Sequence, residues 1–178
     1  MTRGSVLLAV MFVCATAFAQ RRRALPNIPI PAENAASLAH PSTRPSTTTA
    51  EAAARRIFNA IVADTPNTVH DTFFPRDPFL VLKGIDDPGH YHEVLLRHFD
   101  RDIHALHTEL TRRGTPTFDR FQFSTRATWQ AIRSEANALP YWAVRHSVVH
   151  YRVGNSRGEF EIKVFINWGT TWYVTHLS

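Results

Sequence analysis

Three polar residues of the predicted long helix have a spacing that could hold a metal ion. Asp100, His104 and His107 are separated by four and three residues, which places them near one another on a helix surface. Other charged residues follow the same side of the helix, as on an ordinary solvated face. No second segment supplies further ligands at a recognisable spacing. We therefore predict no metal site.

His176, in the last predicted strand, is the best candidate for acid–base chemistry. It shares its parity with Trp172 and Val174, so strand alternation predicts that it faces the core. An imidazole beside a cavity can act as a base or orient a ligand. Lys83 and Asp71 could join it in a cavity between the helices and the sheet. The alternative is a core histidine satisfied by a structural hydrogen bond.

Tryptophans in the C-terminal half could line an apolar ligand cavity. The alternative is that they only pack in the core, which needs no ligand. Together with the two polar candidates above, they give the predicted ligand-binding residues, which are Lys83, Trp142, Trp168, Trp172 and His176.

Several function classes are disfavoured by what the sequence contains. There is no Gly-rich phosphate loop, no Ser or Cys nucleophile motif and no paired-carboxylate signature, so we predict no cofactor. The net charge of +5 comes mostly from the N-terminal segment, because 15 basic and 14 acidic residues remain from Thr49 onward. A nearly neutral domain is not typical of nucleic-acid binding, and we predict no nucleic-acid partner.

The N-terminal half of the domain is predicted to contain two helical segments, a short strand and a long helix. Thr48 and Glu51 have the spacing of a capping box, and the first helix should end at Asp64-Thr65-Pro66. Residues 67–74 form the second segment. A buried strand is predicted at 79–82, between Pro78 and Gly84, and an apolar stripe of period 3.6 predicts the long helix over 90–113.

After Pro116 the apolar period changes from helical to two residues, which predicts strands. Residues 127–139 fit either a helix or an extended arm. A strand is predicted over 141–153, and a hairpin loop over 154–158. In the following strand five apolar residues alternate with polar ones, and Phe165 is the one apolar residue on the predicted wet face. The inward residues are Phe160, Ile162, Val164, Ile166 and Trp168.

These elements predict an α+β fold, with N-terminal helices and one long helix packed on a bent antiparallel sheet of three to five strands. This order of elements, over roughly 49–177, resembles the cystatin-like or nuclear-transport-factor-2-like cone. The segments 73–79 and 166–177 also look like uncharacterised secreted bacterial proteins. Enzymes that resemble the cone fold place acids and bases inside the helix–sheet cavity, so the first resemblance implies a similar place for a site here.

The N-terminal 48 residues have the composition of a leader and a tether. Residues 1–19 are predicted to be a signal peptide, with a short apolar run and a small-x-small site at Ala17-Phe18-Ala19. The only cysteine, Cys14, would leave with the leader. Residues 20–48 are rich in Pro, Ser and Thr and are predicted to be a disordered tether that is dispensable for folding. Residues 49–178 are predicted to form a single domain.

Two functions are compatible with this organisation. The first is an exported, non-enzymatic ligand-binding or protein-interaction domain, periplasmic or extracellular, whose partner is a protein or a small apolar ligand. The alternative is a small cone-fold hydrolase or isomerase that acts on a compact apolar substrate. An acid or base in an open cavity would favour the enzyme, whereas a cavity filled by Trp and Phe would favour the interaction domain.

Export predicts that the mature protein starts near Gln20 and is found outside the cytoplasm, because the predicted cleavage site directly precedes this residue. Arg21-Arg22-Arg23 counts against export, since positive charge after an apolar run resists translocation. A reversed anchor with the domain inside the cell is the alternative. Mass spectrometry of the native protein from separated cell fractions decides between them, and an intact chain containing Met1 in the cytosol would contradict export.

Overall fold

The computed structural model describes residues 27–35 and 40–177. The predicted signal peptide lies outside these residues. Three α-helices precede five strands along the described chain, with short 3-10 turns at Ala32–Asn34, Pro66–Thr72 and Ser134–Ala136. The helices are α1 (Thr48–Ala63), α2 (Arg76–Leu82) and α3 (Pro88–Thr111). The strands are β1 (Thr117–Gln122), β2 (Ala127–Gln130), β3 (Tyr141–Val153), β4 (Ser156–Trp168) and β5 (Thr171–His176).

Helix α1 begins where the sequence predicts, but it has no capping box. The side chain of Thr48 bonds to Ser46 Oγ at 2.9 Å, and the N–H of Glu51 donates to the carbonyl of Thr47. The side chain of the N-cap residue, Thr47, makes no capping hydrogen bond, and Ser46 Oγ accepts from the N–H of Thr48 at 3.4 Å. At its other end Asp64 adopts a left-handed conformation and its N–H returns to the last turn, as an αL cap does.

The predicted strand at 79–82 is wrong, since these residues form the second half of α2. Four consecutive apolar residues suit a buried strand or a buried helical turn equally, so periodicity does not separate them. Pro75 directly precedes the helix, and the N–H of Phe79 donates to its carbonyl. Phe79 and Leu82 are buried. The element is therefore a short helix, and Lys83 directly follows its last residue.

Helix α3 confirms the predicted long helix. Asp87 caps its N-terminus by accepting from the N–H of His90 at 3.0 Å, and Pro88 occupies the first turn, where its missing N–H costs nothing. The predicted apolar stripe supplies most of its buried side chains, which are Leu95, Phe99, Ile103, Leu106 and Leu110. The helix packs against α1 and β5.

The five strands form one antiparallel sheet in which β3 and β4 are the central pair. Strands β1 and β2 both pair with the same side of β3, and β5 pairs with the other side of β4. Residues 127–139, which the sequence left open, form β2 and a 3-10 turn. The β3–β4 loop is shorter than predicted, because Val153 already pairs with Ser156. Gly154 has φ +57°, which suits a tight hairpin turn.

Regular pairing is interrupted along one line across the sheet, which we call the crease. At the edge, the crease is the gap between β1 and β2. In β3 it is His146, which has φ +62° and no bridge to Lys163 opposite. In β5 it is a bulge at Thr175, since Val164 pairs with His176 but Phe165 pairs with Val174. Such irregularities bend a sheet and change which face a side chain occupies.

Near the crease, the face of β4 that was predicted to be wet is partly buried. Phe160, Ile162 and Ile166 are buried as predicted, and Val164 and Trp168 are half-buried. However, Phe165 and Asn167 are also fully buried, so the predicted wet face is wrong at these two residues. The ring of Phe165 lies 6.1 Å and 5.7 Å from the rings of its neighbours in the β1 region, which are Phe121 and Phe123. Both faces of this half of β4 are therefore covered.

The described part of the N-terminal segment contacts the domain. Asn34 is fully buried, its Nδ2 donates to the carbonyls of Pro140 and Asn167, and its Oδ1 accepts from the N–H of Gly169 at 2.7 Å. Trp172 Nε1 donates to the carbonyl of Ser46. These contacts were not expected, since the segment was predicted to be a disordered tether that is dispensable for folding. We now expect the segment to contribute to stability, since hydrogen-bonded buried amides are costly to remove.

The crease predicts that Phe165→Ala destabilises the protein by about 3–5 kcal/mol, because it removes a ring that is buried on the opposite side of β4 from Ile166. Lys163→Ala, an exposed residue of the same strand, is the control and should change the free energy of unfolding by less than about 0.5 kcal/mol. Chemical denaturation measures both. Equal effects of the two substitutions would contradict the assigned faces.

Candidate functional site

A cavity of about 390 Å³ lies between the helices and the sheet and is partly open to solvent. Its walls come from α2, α3, the loop before β3, and the three strands β3, β4 and β5. Apolar side chains make up most of the wall, and they are Phe79, Ile85, Tyr91, Leu95, Val164 and Ile166. Hydrogen-bonding side chains line the rest, and they are Lys83, Glu135, Tyr141, Arg145, Thr175 and His176.

Lys83 is held at this wall by three oxygen atoms from the loop and from β3. Its Nζ donates to Asn137 Oδ1 at 2.8 Å, to the carbonyl of Glu135 at 3.3 Å and to the hydroxyl of Tyr141 at 3.3 Å. Burial lowers the pKa of Lys83, and the nearby Glu135 carboxylate partly opposes this effect. The amine therefore loses its proton more readily than an exposed lysine does.

Tyr141 links Lys83 to an acidic side chain. Its ring is buried, and its hydroxyl donates to Glu135 Oε2 at 3.0 Å. Burial and the negative charge of Glu135 raise the pKa of Tyr141, so the phenol keeps its proton. Glu135 also accepts from Arg145. The result is a continuous chain of polar groups from Lys83 through Tyr141 to the Glu135–Arg145 ion pair.

The loop that carries Glu135 has an unusual backbone. Arg133, Glu135 and Ala136 have φ values of +69°, +49° and +57°, and each left-handed non-Gly residue costs about 1–2 kcal/mol. The loop is held by hydrogen bonds from Gly84 N to the carbonyl of Ala136 at 2.8 Å, and from Arg133 N to the carbonyl of Asn137 at 2.8 Å. Residues in such conformations concentrate at functional sites, which supports a role for this loop.

His176 lies at the cavity, but the strand alternation used to predict its position is not the reason. Alternation placed it in the core with Trp172 and Val174, but the bulge at Thr175 shifts the strand, so Thr175 is buried and His176 is exposed. His176 lies at the cavity wall beside Val164. Although its side chain is partly exposed, burial by the wall lowers its pKa, and the positive charge of nearby lysines adds to this. The imidazole is therefore neutral at neutral pH.

The three candidate tryptophans do not line this cavity. Trp172 is buried and its indole N–H donates to the N-terminal segment. The ring of Trp142 lies 5.1 Å from that of His40, in the same segment. Trp168 packs against Phe74, with ring centroids 6.3 Å apart. Of the five predicted ligand-binding residues, the structure brings together only Lys83 and His176.

The other polar candidates have partners elsewhere on the molecule. Asp71 forms a two-point ion pair with Arg56 and does not line the cavity. Asp100 pairs with His70 and His104 with Asp64, while His107 bonds to a backbone carbonyl of α1. In residues 27–35 and 40–177, no three His, Cys, Asp or Glu side chains come close enough together to hold a metal ion.

Sequence reasoning missed Glu135, Tyr141 and Arg145. Glu135 lies in a segment with no clear periodicity, and Tyr141 opens a strand whose first four residues are all buried. Nothing local marks these residues as neighbours of Lys83, since more than 50 positions separate them along the chain. The one signal in the sequence was the presence of charged residues in or beside residues 127–139, the segment whose secondary structure the sequence left open.

Comparisons with protein-family models, with curated proteins and with solved structures give no match to this chain. The α+β fold stands on the structure itself, whereas the cone resemblance remains an expectation. Among the residues that the structure describes, no helix is long and apolar enough to cross a membrane.

Proposed function

We propose that the protein is an exported domain that binds a small, mainly apolar ligand in the cavity between its helices and its sheet. The observation that carries this proposal is the combination of apolar walls with a few convergent polar groups in a space of about 390 Å³. Known ligand pockets have this composition and span about 300–1,000 Å³. Tryptophan side chains do not fill the space, so room for a ligand remains.

The charges at the site restrict the ligand. Arg145 and Glu135 neutralise each other, and His176 is uncharged at neutral pH. A ligand with a compact apolar body and one uncharged polar group fits this arrangement, because its body would meet Phe79, Leu95 and Ile166. Its polar group would meet Lys83 or Tyr141.

A small hydrolase or isomerase is the second candidate. The specific observation in its favour is that a neutral imidazole and an amine with a lowered pKa line the same partly open cavity, where either could accept a proton. Hydrolysis of a short-chain p-nitrophenyl ester that disappears in His176→Gln would favour this candidate. Absence of turnover in the unaltered protein with intact ligand binding would favour a binding domain.

Ligand binding predicts that the unaltered protein binds the uncharged fluorescent dye N-phenyl-1-naphthylamine, an apolar probe of the cavity. Val164→Phe should weaken the affinity by about tenfold or more, because the added ring occupies the cavity that Val164 lines. Fluorescence titration measures the dissociation constant. The thermal unfolding midpoint is measured in parallel, so that a misfolded variant is recognised.

Val148→Phe is the matched control for this experiment. Val148 lies in β3, is half-buried like Val164, and is not part of the cavity wall. Its substitution should leave the dye affinity unchanged. Equal affinities of both folded variants and the unaltered protein would place the dye elsewhere and contradict the proposed site.

A further inference from the structure

We propose that Lys83 binds aldehydes or ketones covalently, as a reversible Schiff base inside the cavity. This inference rests on the proposed ligand-binding function and names the chemical class of the ligand. The geometry that points to it is an amine at the wall of an apolar cavity, connected through a tyrosine hydroxyl to a carboxylate. A simple apolar pocket needs neither the amine nor the carboxylate.

The basic residues of the chain are unevenly divided between two types. Of twenty Lys and Arg residues only two are lysines, Lys83 and Lys163. Arginine stays charged and does not form Schiff bases under ordinary conditions, whereas an uncharged lysine amine is a nucleophile. Lys163 is exposed on β4, and Lys83 lines the cavity. Lys83 is therefore the one lysine that a cavity-bound carbonyl compound would meet.

The surroundings of Lys83 can stabilise its uncharged form. A neutral amine has two N–H bonds, which Asn137 Oδ1 and the carbonyl of Glu135 can accept at 2.8 Å and 3.3 Å. In the structure the Tyr141 hydroxyl at 3.3 Å is a third acceptor, which completes the set of an ammonium. Once Lys83 has given up that third proton, its lone pair is available for bond formation. Burial lowers the pKa of Lys83, and the proton that it loses can pass through the Tyr141 hydroxyl to the Glu135 carboxylate, 3.0 Å further on.

The reaction balances without a cofactor. The amine nitrogen attacks the carbonyl carbon, the carbonyl electron pair moves to oxygen, and a proton passes from nitrogen to that oxygen through Tyr141. The nitrogen of the resulting carbinolamine then gives up its second proton, which reaches the hydroxyl oxygen through Tyr141, and the nitrogen electron pair forms the C=N bond. The C–O bond breaks, and the oxygen leaves as water. An imine between Lys83 Nζ and the ligand carbon remains. If the imine is protonated, the carboxylate of Glu135 supplies the opposite charge through Tyr141.

The same charges disfavour a carboxylate ligand. Arg145 is already engaged by Glu135, so once Lys83 has lost its proton no free cation at this wall compensates the charge of a second carboxylate beside Glu135. A neutral carbonyl group has no such penalty. Its oxygen can instead accept from the Tyr141 hydroxyl if that proton turns away from Glu135 Oε2, to which it is donated in the structure. Burial raises the pKa of Tyr141, so the phenol keeps this proton.

Reductive trapping in the purified full-length protein tests this inference. Benzaldehyde is the probe, sodium cyanoborohydride reduces any imine to a stable benzylamine, and peptide mapping by mass spectrometry locates the adduct. We expect the adduct on Lys83 to form about tenfold faster than on Lys163, which is an internal control in the same molecule. Excess N-phenyl-1-naphthylamine should suppress the Lys83 adduct and leave the Lys163 adduct unchanged.

Two results would overturn the inference. One is trapping at Lys163 as fast as at Lys83, and the other is a Lys83 adduct that neither the dye nor Val164→Phe reduces. If the dye binds in the cavity but trapping shows no preference for Lys83, covalent capture fails and the ligand-binding proposal stands. If neither dye binding nor preferential trapping is observed, both proposals fail.

Discussion

The amine of Lys83 must keep its hydrogen bonds at the cavity wall, and this constraint links α2, the loop before β3 and β3 itself. A charged or polar group that leaves water must recover its hydrogen bonds from the protein, and here the partners come from a distant loop and from the start of β3. The loop that carries these partners approaches α2, and Arg133, Glu135 and Ala136 in it adopt left-handed conformations. Hydrogen bonds between Gly84 and Ala136, and between Ala138 and Leu82, hold the two segments together. The half-buried amine of Lys83 is thus bonded to a loop that contains three left-handed residues.

The crease in the sheet supplies the rest of the cavity. Regular pairing stops at His146 in β3 and at Thr175 in β5, and the bulge at Thr175 removes His176 from the face that simple alternation gives it. Val164 and Ile166 meet the helices, while Phe165 is buried on the opposite side. His176 leaves the core and reaches the cavity wall.

Features that depend on local sequence patterns could be predicted from the sequence, whereas features that depend on residues distant along the chain could not. Strand β3 and helix α3 were predicted to within two residues at each end, and α3 could be predicted because its apolar stripe is long and regular. Helix α2 was mistaken for a strand, since four apolar residues carry no decisive period. The bulge at Thr175 depends on pairing with β4, and the buried position of Asn34 depends on backbone atoms more than 100 residues away. Lys83 and His176 were identified by residue type, but their partners required the fold.

The most direct test of this account is the ionisation of the two lysines in solution. Heteronuclear NMR of the lysine side chains should show two signals, and Lys83→Arg assigns them by removing one. We expect the Lys83 signal to titrate below the ordinary lysine pKa of about 10.4, because its amine is enclosed at the cavity wall. We also expect the chemical shift of this signal to change when the dye is added. Titration of Lys83 at the ordinary value, with no response to the dye, would contradict an enclosed amine at a ligand-binding cavity.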